Sequence, residues 1–325
     1  MSDRTIQEQI VKYLADVHAI EQQALPQVKA APKIARAPVL VEAFERHIAE
    51  TEEHEQRVRE RLEALGGSPS KVKDVAGTLT GPAFVLFAKS QPDTPGKLVT
   101  HAYSYEHMEL AAYELLGRVA RRAGDEETAT LAQEIEAQER AMAGRLSDNW
   151  DAAVDAALEG ADPDDVGEQL NKYLADTHAI EAQALQMLAV APKIAGDDQL
   201  AEAYSEHHAE TEIHQQRIDA RLAARDASSN FLKDAAMRLG AVNWGGFFAA
   251  QPDTPVKLAG FAYAFEHLEI ASYEQLKRVA ERARDADTAK AAEVILVEER
   301  SAAQTLWDGF DTALEVSLRK LGVAA

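Results

Sequence analysis

Acidic and histidine side chains recur at helical spacing along this chain, on faces that are otherwise apolar. The first group is His18 and Glu21, and the second is His47, Glu50 and His54. The third is Glu106, His107 and Glu109, and the fourth is Glu139. Steps of three, four or seven residues bring side chains onto one face of a helix. Burying an ionised carboxylate without a partner is costly. Several acids turned inward therefore need a neutralising charge, yet lysine and arginine fall mostly on the other faces. A pair of divalent or trivalent cations would supply that charge, held by carboxylate oxygens and imidazole nitrogens. The alternative is a hydrogen-bonded cluster of acids, some protonated at neutral pH, inside a helical scaffold with a weak or empty site.

The same pattern returns 160 positions later as His178, Glu181, His207, Glu210, His214, Glu266, His267, Glu269 and Glu299. The repeat is plain in the surrounding chain. Between the 22-residue segments beginning at Tyr13 and at Tyr173, fifteen positions are identical. QPDTPGKL at Gln91 returns as QPDTPVKL at Gln251. Other charges do not return: Glu53 becomes Ile213, Glu55 becomes Gln215 and Glu136 becomes Leu296. The inner acids are therefore held within this chain while its surface has drifted. The repeat predicts two domains, 1–160 and 161–325, with the seam near Gly160-Ala-Asp-Pro163.

Each copy reads as four long helices. The first is expected over 5–35, with a kink or local break at Pro26. The second is expected over 39–65, ending at Gly66-Gly67. A linker of roughly 28 residues follows, with a short helical piece near Val72–Leu79. Thr94 suits an N-cap ahead of Pro95. The third helix is expected from there to 123 and the fourth over 125–158. Two short connections and one long crossover give an all-α bundle of the ferritin-like connectivity, twice. Glu106 and Glu109 share one face of the third helix, so either could serve there.

Composition narrows the function. The net charge of −21 opposes binding to phosphate backbones, which makes nucleic acid an unsuitable partner. The chain has no cysteine, which excludes disulfides, thiolate nucleophiles and iron–sulfur clusters. No stretch has the apolar length of a membrane span, and the first residues lack the core of a signal peptide. The expectation is a cytoplasmic protein with no membrane partner.

At Glu21-Gln-Gln-Ala-Leu, His47-Ile-Ala-Glu-Thr-Glu-Glu-His54, Tyr105-Glu-His-Met-Glu-Leu-Ala-Ala-Tyr113 and Glu139-Arg-Ala, the chain resembles the ferritin-like superfamily. It looks closest to the YciE/YciF-like branch of bacterial stress-associated proteins. The resemblance implies a di-iron or di-manganese centre in each copy, acting on oxygen or peroxide. By that likeness Glu50 and Glu139 would bridge the ions. Glu21 and Glu109 would be terminal ligands, and His54 would complete one ion. His18, His47 and His107, with His178, His207 and His267, are possible extra or supporting ligands. The chain departs from the superfamily's Glu-x-x-His pattern. The second helix has a four-residue step from Glu50 to His54, and Glu139 is followed by Met142 and Ala143. His18 or Glu106 would have to fill the gap. The two copies are expected to pair as an intramolecular pseudo-dimer.

Overall fold

The computed structural model describes residues 5–68, 94–160, 163–227 and 253–323. Among them the secondary structure is helical throughout. The chain divides into two compact units, Met1–Ala157 together with Leu318–Ala325, and Leu158–Ser317.

In the first unit, α1 (Ile6–Ala30) and the one-turn α2 (Pro32–Ala35) precede α3 (Pro38–Ala64). Then come α4 (Thr94–Arg122), α5 (Glu126–Ser147) and α6 (Trp150–Ala157). The second unit repeats the order: α7 (Pro163–Leu188), α8 (Ala191–Ile194), α9 (Asp198–Ala224), α10 (Thr254–Arg282), α11 (Ala286–Asp308) and α12 (Phe310–Lys320), the last of which belongs to this unit as far as Ser317. In each unit the four long helices form a closed ring. α1 packs on α3 and α4, and α5 packs on both of those; α7, α9, α10 and α11 repeat the arrangement. Each unit is a four-helix bundle.

Local chemistry sets the helix ends. Thr5 and Glu8 form a capping box at the start of α1. Asp125 caps α5 by accepting from the Thr128 amide, and Arg61 reaches across from α3 to Asp125 at 2.7 Å. One side chain thus closes a helix end and ties two helices together. Gly66 and Gly124 take φ of 75° and 70° where α3 and α4 end. Their counterparts in the second unit are Asp226 and Arg284, at φ 50° and 59°, a conformation that strains a residue with a side chain.

Three sequence expectations differ from the structure. Pro26 lies inside α1, and the break comes later, at Ala31-Pro32. The fourth helix is two helices. Ser147 and Asn149 turn their side chains onto the carbonyls of Gly144 and Arg145, competing with the helix ladder at that point. The third helix begins at Thr94 itself, and in the second unit its cap is Asp253, one residue before Thr254. The short helix expected near Val72–Leu79 lies outside the described residues.

The apolar stripes meet inside each bundle. Ile10, Leu14, Leu40, Phe44, Val58, Leu62, Leu110, Leu116, Ile135, Met142 and Leu146 are buried in the first. Each such side chain contributes about 1.5–3 kcal/mol by leaving water. Between these layers lies a band where the inward positions are acidic. Among the described residues no helix is long and apolar enough to cross a membrane.

Candidate metal centre

The acidic band of the first unit draws one or two side chains from each long helix. α1 supplies Glu21, α3 supplies His47 and His54, α4 supplies Glu106 and Glu109, and α5 supplies Glu139. All are buried. The α3 positions follow from its inward stripe of Leu40, Phe44, His47, Thr51, His54, Val58 and Leu62. Steps alternating between three and four residues keep that face turned to the core. The two histidines are seven residues apart, hence about 10 Å along the helix.

Two groups of ligand atoms result, each lying within 4.8 Å of one another. One is Glu21, His54 and Glu139. The other is His47, Glu106, Glu109 and Glu139. Glu139 belongs to both and joins them. His54 Nδ1 lies 2.7 Å from Glu139 Oε1 and 3.7 Å from Glu21 Oε1. His47 Nε2 lies 3.3 Å from Glu106 Oε1 and 3.6 Å from Glu139 Oε2. Neighbouring ligands of an octahedral ion, bound at about 2.1 Å, stand about 3 Å apart. The observed spacings are of that size.

The hydrogen bonding fits a cation too. Both oxygens of Glu109, both of Glu139, Glu106 Oε2 and Glu21 Oε2 have no hydrogen-bond partner, and neither has His54 Nδ1 despite its short distance to Glu139. The imidazoles stand close enough to Glu139 and Glu106 to share a proton, but the remaining carboxylate lone pairs crowd together with no donor, which marks a place for a metal. Among the described residues no lysine or arginine pairs with Glu21, Glu106, Glu109 or Glu139. Burial, with the charge of Glu139, pushes the Glu21 carboxyl up to about 8. Burial and the neighbouring acids Glu139, Glu21 and Glu106 hold Glu109 well above the carboxylate range. Burial also raises Glu139, though its contact with His54 works the other way. A bound cation would reverse these costs.

The imidazoles are fixed from behind. His54 Nε2 faces Gln138 Oε1 at 2.5 Å, and His47 Nδ1 faces Glu50 Oε2 at 3.3 Å. An acceptor behind each ring takes the proton of the outer nitrogen. Burial lowers both imidazoles, but the acids in front outweigh it, raising His54 to about 8 through Glu139 and His47 well above its ordinary value through Glu106. A metal binding at the inner nitrogens would therefore displace a proton there. Tyr113 donates its hydroxyl to Glu21, and Tyr105 donates to the carbonyl of Ile20 at 2.9 Å.

The second unit repeats the site. His207, Glu266, Glu269 and Glu299 form one group, and Glu181, His214 and Glu299 the other. His207 Nε2 is 2.9 Å from Glu266 Oε2, and His214 Nδ1 is 2.9 Å from Glu299 Oε1. Tyr273 donates to Glu181. Burial lifts Glu266 to about 7 and Glu269 well above its ordinary range.

The structure turns Glu50 aside from the centre where sequence reasoning put it. Glu50 is bonded by Arg46 at 2.8 Å and by Arg145 at 2.6 Å. Burial opposes its ionisation, but hydrogen bonds from His47 and Arg46 and the charge of Arg145 bring it down to about 2. Its position flanks the inward stripe, where Thr51 is fully buried instead. Glu210 likewise sits behind His207, at 3.4 Å. His47 and His207 occupy the inner positions. Glu106 and Glu109 both face the cluster, as do Glu266 and Glu269. The other histidines lie elsewhere. His18 bonds Glu55 at 2.9 Å, and His178 faces Asp219 at 3.1 Å. His107 and His267 direct Nδ1 to the carbonyls of Tyr103 and Tyr263, each at 2.8 Å. Sequence reasoning missed Gln138 and Glu298, the partners behind His54 and His214. Their one signal is adjacency to the central glutamates of α5 and α11.

A small cavity of about 20 Å³ adjoins the first centre, lined by Val28, Phe44, Leu98, Ala102, Tyr105 and Glu106 among others. It has room for one or two water-sized molecules.

A family model matches residues 5–159 and again 165–315. The chain belongs to the family described as a domain of unknown function, DUF892. The two matches are tandem copies of one family domain, and each contains one of the acidic clusters. No solved structure matches the chain significantly.

Proposed function

We propose that each family domain holds a pair of metal ions in its glutamate–histidine cluster, as a di-metal carboxylate protein of the ferritin-like kind. The observation that carries this reading is the shared Glu139, buried with both oxygens lacking hydrogen bonds between two groups of ligand atoms. Glu21, His54 and Glu139 would hold one ion, and His47, Glu106, Glu109 and Glu139 the other. Four carboxylates and two imidazoles are a donor set for iron or manganese. Such a pair of ions supplies one-electron chemistry toward dioxygen or peroxide, and we place the protein in oxidative-stress handling in the cytoplasm.

The chain's own residues have definable parts. Gln138 and Glu50 orient the two imidazoles from behind, and an ion binding at their inner nitrogens would displace a proton. Tyr113 fixes one oxygen of Glu21 and leaves the other for an ion. The apolar layers keep bulk water out, and the cavity beside Glu106 would admit a molecule of the size of dioxygen or peroxide.

The test is oxygen and peroxide consumption by protein reconstituted with ferrous iron. Uptake that disappears in a Glu139→Ala/Glu299→Ala variant supports the proposal. Equal uptake by that variant overturns it. Stoichiometric metal with no uptake would make the centre structural, and the protein a metal-stabilised scaffold.

A further inference from the structure

The two clusters have the same inner ligands but different partners behind them. In the first unit His54 Nε2 meets the amide oxygen of Gln138. In the second, His214 Nε2 meets a carboxylate, Glu298 Oε2, at 2.9 Å. The other imidazole shows a difference of the same sign. Glu50, behind His47, is paired with Arg46 and Arg145. The residues that stand in their places in the second unit are Glu206 and Thr305, so Glu210 faces His207 without either arginine.

We propose that the two centres are graded in affinity, with the second unit holding its metal ions more tightly than the first. The inference rests on the metal reading above. An imidazole that donates to a carboxylate is a stronger ligand through its other nitrogen than one that donates to an amide. Outer partners of this kind change metal affinity by about 10–100-fold. Two features trim the effect here. Glu298 also accepts from Arg217 at 2.6 Å, which draws off part of its charge. The Glu210 side chain is 53% exposed, so water screens it. The contact between Glu298 and His214 therefore carries most of the difference, which puts the grading near the lower end, about tenfold. Within one chain this gives a centre that stays loaded at low metal and a second that fills and empties as supply changes.

The test is chelator competition with manganese(II) on the full chain, following bound metal at equilibrium. The wild type is expected to show two classes of site about tenfold apart. Gln138→Glu should move the weaker class toward the tighter, and Glu298→Gln the tighter toward the weaker. These near-isosteric changes lie at half-buried positions, and unchanged melting of the metal-free variants guards against misfolding. A gain of affinity in Gln138→Glu is a result that a merely structural role for position 138 would not produce. A single class unmoved by either change, with manganese bound in full, overturns the grading and leaves the metal reading intact. No bound manganese in the wild type overturns both.

Discussion

Replacing Glu109 and Glu269 by glutamine should stabilise the metal-free protein and weaken its response to metal. Both side chains are about 1% exposed, and none of their carboxylate oxygens has a hydrogen-bond partner. Burial and the surrounding acids hold both carboxyls well above their ordinary range, and keeping such an unpaired acid inside the metal-free bundle costs roughly 2–4 kcal/mol. An amide in its place carries no such cost, but one of its polar atoms left unpaired costs about 1 kcal/mol or more. The net gain is about 1–3 kcal/mol per unit, a rise of roughly 3–10 °C in melting temperature for domains of this size. Thermal melts in chelator measure it. With metal at about 100 times its dissociation constant, the wild type gains about 2.7 kcal/mol, and the variant should gain distinctly less. A variant that melts below the wild type in chelator would show that these carboxylates make stabilising contacts. Equal stabilisation of both proteins by metal would remove Glu109 and Glu269 from the ligand set.

His54→Ala should cost the first unit one of its two ions and leave the His47 group able to bind, which metal analysis of the variant reads directly. Asp125 and Asp285 resist ionisation by burial, yet hydrogen bonds from the Thr128 and Thr288 amides and arginine partners hold both below the usual aspartate value. Their contribution is complete above about pH 4 and falls away as pH drops through the lowered values. Asp125→Ala/Asp285→Ala should therefore lose about 1–2 kcal/mol per helix cap at neutral pH and show a flatter decline of melting temperature below pH 4. Phe44→Ala, at a fully buried position, should cost about 3–5 kcal/mol in denaturant unfolding. Arg284→Gly, which relieves a left-handed φ of 59°, should stabilise the second unit by about 0.5–1 kcal/mol, read from the same melts.

The architecture was open to sequence reasoning because long helices with single apolar stripes have few ways to pack. The repeat then stated the answer twice. The inner acids were legible for the same reason: Glu21, Glu106, Glu109 and Glu139 each interrupt a stripe, and each returns 160 residues later. What helical spacing could not decide was which of two neighbouring polar positions points inward. Glu50 and His47 are three residues apart, so both lie near the boundary of the stripe. Arg46 and Arg145 hold Glu50 outward in the first unit, but Glu210 lies outward in the second without either. The choice therefore falls to the rotation of the helix in the bundle, which seats Thr51 and Thr211 between the inner histidines. The partners behind the imidazoles were hidden for a related reason. Gln138 and Glu298 differ between the copies, so the repeat gave them no weight, yet contact across the bundle gives them their part. The break at Asn149 depends on side chains bonding backbone carbonyls one turn away, which no apolar pattern records.

The central claim is that the buried acids exist to bind metal, and its most direct measurement is the metal content of the reconstituted full-length chain. Elemental analysis should find about two iron or manganese ions per unit, with binding lost from both units in Glu139→Ala/Glu299→Ala and retained in Glu50→Ala. Failure to bind stoichiometric metal after reconstitution, or loss in Glu50→Ala as complete as in the Glu139 variant, would contradict the account.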